Sequence, residues 1–199
     1  MRTPSWFTVP SLLLFTACSG GELVGVHIDL AADGSGTLTL RSLAPADSAT
    51  AAETRTHGAD WTVRGALVSS QGTFSRIAQV TLGDGEVTFA PQLDGDRPGL
   101  RVTLTRGPDA KWIAALTPPR QQRRRLAGAY DPTGRTREIG DVLRLEIAAP
   151  GRVITSGVLP TGRGVEANRD GDKATLLLPV ATAREEGDAF VWDISWLRK

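Results

Sequence analysis

One cysteine, two histidines and three lysines are all that this 199-residue chain contains of those types. A single Cys excludes an internal disulfide and any cysteine-cluster metal site. Two His leave little material for imidazole chemistry. A surplus of charge is also missing. Lys+Arg number 23 against Asp+Glu 22, so no global field attracts nucleic acid. Arg outnumbers Lys 20 to 3, a compositional bias rather than a binding signal. No Gly-x-Ser-x-Gly elbow, paired-carboxylate motif or Ser-x-x-Lys is found. What remains is ordinary for a folded chain, with 40% apolar and 23% charged residues.

The N-terminus reads as an address. Arg2 gives a short positive region, and an apolar stretch follows from Trp6 to Ala17. As a helix those residues would span about 18 Å, too short for a hydrocarbon core of about 30 Å. The expectation is a signal segment over residues 1–17, not a membrane span. Phe15-Thr16-Ala17-Cys18 resembles a bacterial lipobox. Small residues precede a thiol that accepts a diacylglyceryl group through a thioether, which makes Cys18 the expected lipid-attachment residue. An ordinary secretory leader with a chance Cys is the alternative. Against it, the only Cys in the chain stands where the box requires it. Residues 18–22 then form the lipidated Cys and a flexible tether. Cleavage before Cys18 removes Arg2 and leaves 22 basic against 22 acidic residues.

Residues 23–199 are expected to form one β-rich domain. Val24, Val26, Ile28 and Leu30 share one face of a strand, and Asp33-Gly34-Ser35-Gly36 turns it into a partner carrying Leu38 and Leu40. Residues 44–57 are rich in Ala and read as a loop or a short helix capped by Asp47. Trp61 to Val68 is predicted as a strand broken by Ser69-Ser70-Gln71-Gly72. Phe74 to Leu82 fits a short helix or an extended run. Val87 to Ala90, Leu100 to Thr105 and Lys111 to Thr117 are predicted strands, the last with Trp112, Ala114 and Leu116 aligned. Residues 118–140 are an Arg-rich excursion. Strands resume at Val142–Ile147 and Val153–Thr155. A hairpin pairs Val165–Asn168 with Lys173–Leu178, and Ala189–Leu197 closes the chain with Phe190, Trp192, Ile194 and Trp196 on one face. The fold class expected is α+β, mainly antiparallel sheet, with one or two short helices.

The layout resembles the LppM-like family of bacterial lipoproteins. The likeness begins at Cys18 and VGVHIDLAADGSGTLTL. It runs through WTVRGALVSSQGTFSRIAQVTLGDGEVTF and the pair GLRVTLTR and AKWIAALT, and ends with LRLEIAAPGRVITSG. It covers most of residues 18–180 by order and pattern. Gly157 and Leu176 stand where relatives often carry Asn and Trp. The resemblance implies an α+β domain held at a membrane surface, a setting compatible with a lipid-binding cleft. It implies no catalytic residue.

Chemistry candidates are few. His27 and Asp29 lie two apart in a strand and point the same way, as a metal or acid/base pair would, but no third ligand is visible. A polar outer strand face explains them equally. His57 lies in a polar stretch with no visible partner. Asp33-Gly34-Ser35-Gly36 precedes a strand, so the amide array of a phosphate loop is missing and a turn is expected. Asp94-Gly95-Asp96 and Asp170-Gly171-Asp172 lack the other ligands of a calcium loop and read as hairpin turns. Arg120, Arg123, Arg124 and Arg125 form the densest charge cluster, a solvated segment or a contact to anionic headgroups.

These readings converge on a lipid-anchored, extracytoplasmic, non-enzymatic binding module of the cell envelope, for lipid or glycolipid. No cofactor and no nucleic acid are expected. The alternative is an assembly role, docking on another envelope protein. A ligand-holding module requires an apolar cleft of about 300–1,000 Å³.

Overall fold

The computed structural model describes residues 24–43, 57–58, 61–62, 67–117 and 141–198. The leader, Cys18 and its tether, the possible helix after Asp47 and the Arg-rich excursion at 118–140 lie outside the described residues.

Alternating apolar residues build two sheets. The first is mixed and six-stranded. Its strands are β1 (Val24–Leu30), β2 (Gly36–Leu43), β5 (Leu67–Phe74), β9 (Val142–Ala148), β11 (Glu166–Asp170) and β12 (Lys173–Pro179). They lie in the order β11-β12-β9-β1-β2-β5. The second is antiparallel and five-stranded. It comprises β6 (Thr81–Leu82), β7 (Val87–Asp94), β8 (Arg97–Leu104), β10 (Val153–Leu159) and β13 (Phe190–Trp196). Their order is β10-β13-β8-β7-β6. Two residue pairs, β3 (His57–Gly58) and β4 (Trp61–Thr62), form a separate ribbon. The helices are α1 (Lys111–Leu116) and α2 (Val180–Ala183), with a 3-10 turn at Ile77–Gln79. The protein is therefore mainly β.

The inward positions of both sheets share one core. Val24, Val26, Ile28 and Leu30 of β1 join Leu143, Leu145 and Ile147 of β9 and Ala174, Leu176 and Leu178 of β12. From the other sheet come Leu100, Val102 and Leu104 of β8, and Phe190, Trp192, Ile194 and Trp196 of β13. The period of two puts these residues on one face of each strand, which is the geometry that lets two sheets bury a common interior.

One pairing is parallel: β1 lies beside β9 with Val24 opposite Leu143 and His27 opposite Glu146. Gly25 makes that approach possible. Its φ is +154°, and a Cβ there would strike the carbonyl of Arg144.

Four predicted elements differ. Lys111–Leu116 is helical, because Trp112, Ile113 and Leu116 are the buried set, a spacing of one helical face rather than a strand. Glu86 Oε2 accepts the backbone N–H of Trp112 at 3.0 Å, and Trp112 Nε1 donates to the Thr105 carbonyl at 2.8 Å. Ser69–Gly72 does not break a strand: β5 runs straight through it, in register with β2 from Leu43–Leu67 to Gly36–Phe74. Among the described residues it closes one side of the sheet order, and polar residues and Gly are tolerated at such an edge. Finally, β7 and β10 continue to Asp94 and Leu159, beyond the predicted ends at Ala90 and Thr155.

Candidate functional site

Pairing registers define two poles. At one, β1 ends at Leu30 opposite Gly36, β7 and β8 meet at Asp94 and Arg97, and β10 begins at Val153 opposite Trp196. Val24 marks the other pole, six residues back along β1, or about 20 Å at the rise of an extended chain.

The first pole carries a cleft of about 880 Å³. Its inner wall is apolar, with Leu30, Ile77, Leu100 and Trp196 at the edge of the core. The β1–β2 turn supplies Ala31 to Gly34 on one side. The β7–β8 hairpin supplies Pro91, Gln92, Leu93, Pro98 and Gly99 on the other, and Pro150 comes from the β9–β10 turn. Leu93 is 69% exposed. Burying such a side chain is worth about 1.5–3 kcal/mol, so the wall gains by being covered.

Local bonds hold these walls in place. Ala31 N–H donates to the Ser35 carbonyl at 2.8 Å, and Ile77 N–H donates to the Gly34 carbonyl at 2.9 Å, tying the turn to the 3-10 segment. Gly99 is buried, and a Cβ there would lie 2.7 Å from the Ile194 carbonyl. On the outer face of the second sheet, Arg101 Nε and Nη2 donate to the two oxygens of Asp193, each at 2.8 Å, and Gln92 Nε2 donates to Asp193 Oδ1 at 3.1 Å. That chain of contacts steadies Gln92 in the cleft wall.

Only two of the fifteen lining residues carry formal charge, Asp33 and Arg198. Ser35 donates to Asp33 Oδ1 from its backbone N–H at 3.0 Å and from its hydroxyl at 2.6 Å. The Ser35 hydroxyl first, and its N–H second, hold the Asp33 carboxyl below its ordinary range.

His27 and Asp29 do meet, with Nε2 3.2 Å from Oδ1. They are joined by Glu146, whose Oε1 lies 3.3 Å from His27 Nδ1. The sequence reading missed Glu146 because the parallel register, not local spacing, places it there. Every acidic group in the cluster is already engaged. Thr37 Oγ1 donates to Asp29 Oδ2 at 3.2 Å, Lys173 Nζ donates to Glu146 Oε1 at 3.2 Å, and Arg144 donates to Glu146 Oε2. Burial pushes the Glu146 carboxyl up, yet the hydrogen bonds from Arg144 and Lys173 outweigh it and leave it below its ordinary range. Among the described residues no group of three or more His, Cys, Asp or Glu is arranged to hold a metal ion. The cluster is an ionic network on the outer sheet face, outside the cleft.

Asp94-Gly95-Asp96 and Asp170-Gly171-Asp172 are hairpin turns, with Gly95 and Gly171 at φ +63° and +58°. Asp33-Gly34-Ser35-Gly36 is a turn as expected, and it is also a wall of the cleft. No local signal marks that second role, since the cleft is assembled from segments more than 160 residues apart in sequence. His57 lies in β3. No described helix is long and apolar enough to cross a membrane. Compared with protein-family models, curated proteins and solved structures, the chain matches none.

Proposed function

We propose that this protein is a lipid-anchored, extracytoplasmic and non-catalytic binding module that holds an acyl-bearing ligand, a lipid or glycolipid, in the cleft between the β1–β2 turn and the β7–β8 hairpin. The observation that carries this reading is the cleft itself. Its volume of about 880 Å³ falls within the range of ligand pockets, about 300–1,000 Å³, and its walls are apolar with few polar groups. Each buried CH₂ of an acyl chain contributes about 0.8 kcal/mol, so a few methylenes suffice to retain a ligand.

The anchor is part of the same proposal. The lipobox-like Phe15-Thr16-Ala17-Cys18 would fix the chain to a bilayer outside the cytosol through Cys18, and two or three acyl chains make such anchoring stable.

Native mass spectrometry tests the ligand reading. The full chain carrying Cys18→Ser, incubated with a cell-envelope lipid extract, is expected to retain an acyl-bearing species at one per chain. Ala32→Trp, placed on the exposed turn so that it fills the cleft without touching the core, is expected to lose it. If the parent chain retains nothing and instead crosslinks reproducibly to one envelope protein in intact cells, the docking role replaces this one.

A further inference from the structure

Fifteen residues line the cleft, and the charges among them are one anion and one cation. Both are exposed, where a headgroup emerging from the cleft would meet them. The bonds that Asp33 accepts both end on Oδ1, so Oδ2 has no partner among the described residues. Arg198 follows the last strand and makes no ion pair or hydrogen bond with the described residues. Away from the cleft lining, other charges are paired: Asp193 is taken by Arg101, Glu146 by Arg144 and Lys173, and Asp84 by Lys111. An apolar wall bordered by two opposite charges, each with unused bonding capacity, suits an amphiphile whose head carries both signs.

From this, and resting on the acyl-binding reading above, we propose that the cleft selects a zwitterionic ammonium-phosphate amphiphile, with Arg198 on the phosphate and Asp33 Oδ2 on the ammonium. A guanidinium presents forked N–H donors that match phosphate oxygens. A primary ammonium has three N–H donors and no acceptor, and Asp33 Oδ2 accepts one of them. An anionic head would satisfy Arg198 and place like charge beside Asp33. A neutral glycerol head would leave both ions with water.

Titration calorimetry with three palmitoyl probes below their micelle concentrations separates these cases. The probes are lysophosphatidylethanolamine, lysophosphatidylglycerol and monopalmitoylglycerol, added to the full chain bearing Cys18→Ser so that no acyl chain of its own competes. Lysophosphatidylethanolamine is expected to bind at least tenfold more tightly than either of the others. Asp33→Asn is expected to bring it within threefold of lysophosphatidylglycerol. Arg198→Ala is expected to weaken both phosphate-bearing probes and leave monopalmitoylglycerol unchanged. Equal binding of all three probes overturns the headgroup assignment while the acyl site stands. Tightest binding of lysophosphatidylglycerol overturns it in favour of an anionic ligand. Binding of none removes the acyl site and the headgroup assignment together.

Discussion

Asp193 shows how single side chains stiffen the wall of the cleft. Its carboxyl lies below its ordinary range, held there first by the Arg101 guanidinium, against a smaller opposing effect of burial, with Gln92 adding to Arg101. A carboxyl lowered on folding contributes stability that is present above its unfolded pKa and is lost as pH falls through its folded one. Asp193 is 41% exposed, so solvent screening keeps the contribution to about 1 kcal/mol or less. Asp193→Asn is therefore expected to be slightly less stable than the parent at pH 7. The difference in urea midpoint is expected to shrink as pH drops below the usual carboxylate range. A difference that stays constant from pH 7 to 2 would show that the charge on Asp193 is irrelevant. This triad was not legible in the sequence. Gln92, Arg101 and Asp193 come from three strands, and only the antiparallel registers bring them together.

Elements differed in how much of themselves the sequence displayed. Alternation located β1, β8, β9, β12 and β13, because each buries one face and the period of two is strong there, and it located β2, whose Leu38 and Leu40 pack partly buried against the core. The six residues of α1 satisfy two periods at once. Trp112, Ala114 and Leu116 alternate, whereas Trp112, Ile113 and Leu116 form a helical face, and burial of Ile113 rather than Ala114 decides. The helix ends at Thr117, whose extended φ of −116° and ψ of 125° suit a residue before proline. Here packing and propensity agree, and α1 is held by the buried Trp112, Ile113 and Leu116. Trp112→Ala is expected to cost about 3–5 kcal/mol, read as a fall in the urea midpoint. Trp112→Phe should recover most of that loss, lacking only the bond to the Thr105 carbonyl. A small loss in Trp112→Ala would mean that α1 does not contribute to the core. Nor did periodicity show that β1 and β9 pair in parallel. Local alternation is blind to which strands become neighbours across more than 100 residues.

At the scale of the molecule, the two sheets place an apolar cleft at one pole and the start of β1 at the other. Under the proposed anchoring at Cys18, the tether would join the domain at the pole opposite the cleft, about 20 Å away along the strand axis. Turn chemistry marked the loops that build the cleft, but the cavity emerges only when the β1–β2 turn, the β7–β8 hairpin and the end of β13 converge. Photolabelling examines this most directly. A palmitoyl probe carrying a mid-chain diazirine, activated on the full chain bearing Cys18→Ser, should insert into peptides covering residues 30–34 and 91–100. Excess unlabelled lipid should compete the labelling away. Insertion confined to other peptides, or labelling that no competitor reduces, would contradict the assignment of this cleft as the acyl site.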